Sequence, residues 1–467
     1  MGAAADLKPV SLFNTETRAI ERIQPVEPSK VRMYACGPTV YKHAHIGNLR
    51  TYVFEDVLAR TLERAGYAVT HVMNVTDVGH LQSDADEGED KMTLAARQER
   101  RSPWDIARFY EAEFFRHAAL LNIRRPNVVC RATEHIPEMI DMIRVLHDKG
   151  FAYQSGGNVY FDIAKFPSYP DFAGLRLDDL ASSDRVEFDG RKHHQADFAL
   201  WFSQSKFPHQ IMKWDSPWGV GFPGWHIECS AMASKYLGER IDIHCGGIDH
   251  VRVHHTNEIA QAECCFGHRW VGQWFHCDFL ELDKGKMSKS SGDFITIDTL
   301  TKRGIDPRAF RYLLLTSHYR GTLRFTFEVL EGAAKAYSGL QRRVEELRLT
   351  RGSNEVGSPE VAAIHATTFW NAMFSDLRTP SALASLWATL KDDTLTAAQK
   401  LSLVFDFDTV LGLDLAGSTG SALTAEQQAW MAQREQARAA RDWAEADRLR
   451  GLLVEQGVDV RDSKAVN

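Results

Sequence analysis

The sequence predicts an α/β fold, a parallel sheet carrying an inserted unit and followed by a helical region, and three stretches near its start carry that reading. Residues 31–35 form a short apolar run suited to a buried strand. Residues 48–65 place apolar side chains at helical spacing, and Gly66 reads as the stop. Residues 67–75 are strand-like again. A strand, helix, strand unit of this kind builds parallel sheets, so residues 1–120 are expected to form the first half of a Rossmann-like nucleotide domain.

The later elements follow in order. Residues 121–194 change texture to Pro- and Gly-punctuated pieces with short strands such as 158–161, which reads as a connective insertion between two halves of the sheet. Strand and helix alternation resumes within 195–280, with 241–244 a core strand. Strand signals then fade, and residues 321–415 read as a helical bundle. The Gly/Ser/Thr-rich stretch 417–421 reads as a linker before a final helix over 425–455, which places a small terminal domain at 422–467.

Bulk properties bound the function classes. A chain of 467 residues exceeds one compact core and divides into several parts. With 44% hydrophobic and 25% charged residues, wholesale disorder and fibrous architectures are excluded. The first ten residues hold no apolar run for a signal peptide, Asp6 stands where a myristoylation signal needs Ser or Thr, and no stretch reaches the roughly 18 apolar residues of a spanning helix. A cytoplasmic protein with no membrane partner is expected. Seven cysteines, an odd number over a long chain, point to thiols or metal ligands rather than a disulfide framework. Lys plus Arg number 55 against 62 for Asp plus Glu, so the net charge of −7 attracts no polyanion globally, and RNA contact would need local basic patches.

Four residues carry the clearest chemistry. Cys36 ends the first strand, where open parallel sheets place their ligand sites. His254 and Glu258 are four apart in a helical stretch and can face one point. With Cys229 they give two thiols, an imidazole and a carboxylate, all normal zinc ligands. Singly, each reads as an ordinary core residue; drawn from three distant segments, the set suits a catalytic or substrate-binding metal. The loop from Gly37 to Asn48, with His45, meets a helix start, so its amides and imidazoles can face phosphates at the positive end, although a plain strand-to-helix connection has the same look. Lys286 and Lys289 sit on a small-residue loop able to stabilise a departing pyrophosphate, against the plain reading of a solvated basic turn.

The stretch from His45 through Ile46 and Gly47 to Asn48, and the run Lys286-Met287-Ser288-Lys289-Ser290, resemble the two signatures of class I aminoacyl-tRNA synthetases. The run from Met33 through Cys36 to Tyr41, the segment from Gly224 through Cys229 to Met232, and the His254-His255-Thr256-Asn257-Glu258 stretch are similar to cysteinyl-tRNA synthetases in particular, over essentially the whole chain. The resemblance implies a class I catalytic domain, with residues 281–320 as the lysine-loop region contacting the tRNA stem, and a ligase that joins L-cysteine to tRNA(Cys) at the expense of ATP. It implies one Zn2+ on Cys36, Cys229, His254 and Glu258, open to the substrate thiolate, and Mg2+ with ATP. Thr76, Trp225 and Asp249 would line the cysteine pocket; His45, Asn48 and Lys289 would bind ATP; His45, Lys286 and Lys289 would serve catalysis. Residues 321–415 and 422–467 would bind tRNA and its anticodon, and a monomer is expected.

Asn48 departs from a signature that ends in His, since Asn donates a hydrogen bond but carries no charge. Thr256, Ser291 and Asp293 also depart from common patterns without removing a ligand. Residues 84–90 look like a calcium loop with its Gly one step early and read as a solvated acidic loop. Cys264 and Cys265 read as core, and Cys130, Cys245 and Cys277 have no partner pattern. Arg342, Arg343, Arg348, Arg434, Arg438, Arg441, Arg448 and Arg450 can meet phosphates, yet interleaved acids also fit a solvated helix face. Two alternatives stay open: a cysteine ligase acting on an amino sugar, which needs no anticodon-binding tail, and an inactive paralogue that keeps fold and zinc.

Overall fold

The computed structural model describes residues 7–78, 91–175, 190–204, 211–282, 295–350 and 357–417, and of the last stretch residues 430, 433–434, 437–438 and 442–455. Residues 84–90, Arg441, and the loop bearing Lys286, Lys289, Ser291 and Asp293 lie outside the described residues. Among those described, no helix is long and apolar enough to cross a membrane.

The expected strand, helix, strand unit is present as β1 (Lys30–Ala35), α1 (Ile46–Arg64) and β2 (Ala68–Val75). α1 is buried at every position from 52 to 59 and packs Leu49, Val53, Phe54, Val57, Leu58 and Leu62 into the interior; each such side chain contributes about 1.5–3 kcal/mol when removed from water. α2 (Pro103–Leu120) starts at Ser102, whose hydroxyl accepts from the Asp105 amide, with Pro103 at the first position where a missing N–H costs nothing. β3 (Val128–Arg131) then pairs in parallel with β2, and α3 (Ile136–Asp148) follows.

A separate antiparallel sheet comes next, in the order β4 (Ala152–Ser155), β5 (Asn158–Phe161), β6 (Phe198–Phe202) and β7 (Phe222–Pro223). This inserted layer therefore begins and ends later than the boundaries of 121–194 read from the sequence. Residues 128–131 belong to the main sheet, and Phe198–Phe202 and Phe222–Pro223 to the inserted one, because strand partners far along the chain are set by pairing that local texture does not encode.

The main sheet closes with α4 (Trp225–Leu237), β8 (Ile241–Gly247), α5 (Thr256–Phe266) and β9 (Val271–Cys277). Its order is β9-β8-β1-β2-β3, every pair parallel. This is the doubly wound arrangement expected, and it reverses direction between β1 and β8. Arg50 of α1 is wholly buried and donates to the carbonyls of Asp278 (2.9 Å), His318 (3.1 Å), Gly321 (2.5 Å) and Phe279, fixing α1 to the exit of β9.

Beyond the sheet, β10 (Leu280–Leu282) pairs in parallel with β11 (Leu323–Phe325), and between them lie α6 (Ile297–Lys302) and α7 (Pro307–Leu315). The helical bundle expected over 321–415 is built from α8 (Phe327–Leu349), α9 (Pro359–Phe374), α10 (Thr379–Lys391) and α11 (Ala397–Leu411). Arg311 of α7 is fully buried, bonding Asp56 of α1 at 2.7 Å and the Leu411 carbonyl at 2.6 Å, which ties bundle to sheet.

Residues 414–467 form a second compact unit. Its helix α12 (Trp443–Glu455) buries Leu449 and Leu453. The single helix expected from residue 425 is interrupted at Asp442, whose carboxylate accepts from the Glu445 amide at 3.2 Å as an N-cap does.

Candidate active site at the sheet switch point

Open α/β sheets bind ligands beyond the carboxyl ends of their strands, where the strand order reverses. At that point, between β1 and β8, lies a cavity of about 350 Å³ lined by residues 36–45 and by Asn48, Thr76, Trp225, Cys229, Asp249 and His254. The chain enters it at Gly37, where an added Cβ would sit 1.7 Å from the Asn74 carbonyl oxygen, so only glycine passes. The Asn74 side chain accepts from the Gly37 amide at 2.8 Å and donates to Thr76 Oγ1 at 3.1 Å, linking the tips of β1 and β2.

The floor is a buried cluster of thiols, imidazoles and a carboxylate. Cys36 Sγ lies 3.9 Å from Cys229 Sγ, 3.8 Å from Glu258 Oε1 and 3.4 Å from His255 Nε2. His254 Nε2 is 2.7 Å from Glu258 Oε1. One ligand atom each from Cys36, His254, His255 and Glu258 falls within 4.8 Å of the others, the geometry of a metal-binding group. The histidines come from a single π-helical turn, Val251–His255, that leads directly into α5; such turns concentrate at functional sites.

Electrostatics favour the anionic form of Glu258 and Cys229, while against burial the charges of Glu258 and Cys229 raise His254 well above its ordinary value. Burial alone would raise Glu258, but the charges and hydrogen bonds of His244 and His254 hold it well below the usual carboxylate range. Burial likewise opposes ionisation of the two thiols and drives Cys36 well up, while Cys229 is pulled down to about 6 against burial by the hydrogen bond from Cys36 and the neighbouring His254. Of a soft thiol pair, one member thus carries the charge a metal requires.

The rim is less enclosed. His45 is the N-cap of α1: its ring accepts from the Asn48 amide at 3.3 Å, and the Asn48 side chain accepts from the His45 amide at 3.2 Å, a reciprocal capping box. Asn48 is thus engaged in closing the helix start that faces the cavity. Burial, then the charge of Lys42, lowers His45, so its ring is neutral near pH 7. Gly47 is needed here too, since a Cβ would meet the His45 ring at 2.9 Å.

All sequence-predicted site residues within the described stretches come together in this cavity except Glu258, which stands fully buried against its lining. Thr76 is buried, Asp249 is exposed, and the Trp225 ring stacks obliquely 4.5 Å from the His254 ring. Lys286 and Lys289 fall outside the described residues. Sequence reasoning missed the supporting shell. His244 Nε2 of β8 donates to Glu258 Oε2 at 2.7 Å, His255 Nδ1 and His276 Nε2 are 2.7 Å apart, and His226 Nδ1 is 2.9 Å from His254 Nδ1. The one available signal was the density of histidines from 226 to 276, which carries no spacing rule.

Cys264 and Cys265 are buried, as the core reading expects. Arg342, Arg343, Arg348 and Arg448 make ion pairs with acids three or four residues away along their own helices, and Arg434 is buried.

The fold defines the class. The structure is similar to a Mycobacterium tuberculosis methionyl-tRNA synthetase in complex with methionyl-adenylate (TM-score 0.57, 14% identity, covering 82% of this chain and 90% of that one). It is equally similar to an Agrobacterium radiobacter LeuRS in a ternary complex (TM-score 0.57, 12% identity, 84% of each chain). Residues 22–335 match the family described as tRNA synthetases class I (C) catalytic domain, and residues 421–466 match the cysteinyl-tRNA ligase anticodon binding domain. Proteins named cysteine–tRNA ligase from Treponema denticola (47% identity; 87% of this chain, 86% of the relative) and Burkholderia lata (47%; 97% and 95%) align across it. The chain belongs to the cysteinyl family of class I tRNA synthetases.

Proposed function

We propose that the chain is a cysteine–tRNA ligase, activating L-cysteine with ATP and transferring it to the terminal ribose of tRNA(Cys). The observation that carries this is the buried thiol, imidazole and carboxylate floor opening into the same cavity as the capped start of α1. The donor set fits zinc: two sulfurs, a nitrogen and an oxygen from Cys36, Cys229, His254 and Glu258, with the carboxylate already oriented by His244. Zinc held there favours a deprotonated thiol over a serine hydroxyl, which supplies the choice of amino acid.

The chain's own residues do the rest. Thr76, Trp225 and Asp249 line the space for the amino acid, Asp249 offering a carboxylate to its ammonium group. His45, Asn48 and the positive end of α1 receive the triphosphate, and Mg2+ accompanies ATP. The cysteine carboxylate attacks the α-phosphorus and pyrophosphate leaves, with Lys286 and Lys289 assigned from the signature to its developing charge. The tRNA ribose hydroxyl then attacks the adenylate carbonyl. No side-chain nucleophile is needed; positioning supplies the rate. The domain roles proposed are catalysis in the sheet, stem contact near 281–320, tRNA binding by the bundle at 321–415 and anticodon binding at 422–467, in a monomeric cytoplasmic enzyme. The match of residues 421–466 to an anticodon-binding family supports tRNA over an amino sugar as acceptor.

ATP–pyrophosphate exchange with cysteine beside serine, followed by acylation of a tRNA(Cys) transcript, tests the reading. Exchange with cysteine alone and stable acylation are expected. Folded, metal-replete protein that supports no exchange overturns it in favour of an inactive paralogue, and exchange without acylation points to the amino-sugar acceptor.

A further inference from the structure

A second group of metal-ligating side chains lies apart from the floor. Glu113 and His117 are one helical turn apart on α2 and share a face, and His43 meets them from the loop before α1. One ligand atom from each falls within 4.8 Å of the other two; His43 Nδ1 is 3.9 Å from Glu113 Oε2, and the two imidazole centroids are 5.7 Å apart. His117 is wholly buried, and Nδ1 of His43 and Nδ1 of His117 are both buried with no hydrogen-bond partner among the described residues. An orphaned buried nitrogen is costly, so two of them in one cluster call for an occupant.

We infer that His43, Glu113 and His117 form a second, exchangeable site for a divalent transition-metal ion behind His43, which lines the cavity. Two imidazoles and one carboxylate are a set that borderline-soft ions accept with water completing the shell, whereas Mg2+ and Ca2+ prefer oxygen throughout. Closing from 4.8 Å to ligand spacing takes movements of about 1 Å, which His43 and Glu113, with side chains 36% and 21% exposed, can make. The Arg116 guanidinium presently bridges Glu113 Oε2 (2.7 Å), His117 Nε2 (3.0 Å) and Asp298 Oδ2 (2.7 Å). Its side chain is 43% exposed, so its pairs with Glu113 and Asp298 are weak surface ion pairs; an arriving cation displaces it toward Asp298, which also lies 3.2 Å from His117 Nε2. Burial holds His117 below its ordinary value, and the hydrogen bond from Arg116 does the same for Glu113, so imidazole and carboxylate are in ligating form near pH 7.

The site uses no residue of the floor, so it is separable from the proposed amino-acid centre. The test is calorimetric titration of full-length, zinc-loaded protein with Ni2+, with zinc release followed in parallel. One equivalent of Ni2+ is expected to bind without zinc release, and both His43→Ala and Glu113→Gln, changes at partly exposed side chains, are expected to weaken it by at least tenfold. Absence of Ni2+ binding without zinc release, or the same affinity in both variants, overturns the assignment. Circular dichroism of each variant confirms that it is folded.

Discussion

Cys36, Cys229, His254 and Glu258 on the floor of the cavity are at most 5% exposed, whereas His45 on its rim is half-buried and Asn48 and Asp249 are exposed. Two of these floor groups and the adjoining His255 are each held by a second polar group that is itself buried: His244 grips Glu258, His226 meets His254, and His276 meets His255. The rim is held by one reciprocal cap at the start of α1. Buried polar networks are costly when half satisfied and rigid when complete, so the floor is suited to choosing a small ligand by its chemistry. A solvated helix end is suited to a large charged ligand that must enter and leave.

This contrast can be broken from the floor first. Cys229→Ala is expected to abolish bound zinc and lower cysteine-dependent exchange by more than about 10³-fold, as expected for loss of a major electrostatic element of a site, while far-ultraviolet dichroism stays near wild type. Retained zinc with normal exchange would remove Cys229 from the centre.

Next in size is a pH effect beneath the floor. Glu55 of α1 is fully buried, both its carboxylate oxygens are without partners among the described residues, and burial raises it from 4.5 to about 8. The folded chain therefore keeps a proton that the unfolded chain releases above pH 4.5. The sign follows: this stability is fully present below pH 4.5 and is lost as pH rises toward 8, at roughly 1.4 kcal/mol per pH unit. Glu55→Gln does not titrate, so denaturant unfolding between pH 5 and 8 should show it gaining on wild type by up to about 3 kcal/mol. Parallel pH profiles would contradict the assignment.

His244→Leu removes the group that orients Glu258 and is expected to weaken zinc by about 10- to 100-fold in competition with a chelator, leaving the rim intact. The smallest expected effect is on the rim. Asn48→Ala opens the capping box and should cost about 1 kcal/mol of stability by thermal unfolding, with zinc content unchanged. Loss of zinc in that variant would show that floor and rim are not independent.

Much of this was legible in the sequence, for reasons that differ by element. The β1, α1, β2 unit was readable because apolar periodicity is local, and Cys36 followed from its position at a strand end. His254 and Glu258 were legible by spacing, although they straddle a π turn and α5 rather than one regular helix. Asn48 was readable only as a departure from a signature; its bond to the His45 amide is a short-range cap that an unusual histidine N-cap disguises. The partners His244, His226 and Asn74 were not legible, since each acts through a contact between elements brought together only by the sheet order. The limits of the inserted sheet were not legible for the same reason, as β3 and β6 are assigned to different sheets by partners distant in sequence.

The most direct test loads the protein with Co2+ and follows the visible and near-ultraviolet spectrum while L-cysteine, then L-serine, is added. A floor built to choose a thiol predicts that cysteine, at concentrations that support exchange, strengthens the thiolate-to-cobalt charge-transfer absorption and that serine does not. An unchanged spectrum on adding saturating cysteine to folded, cobalt-loaded protein would contradict the account, because the amino acid would then be chosen away from the metal.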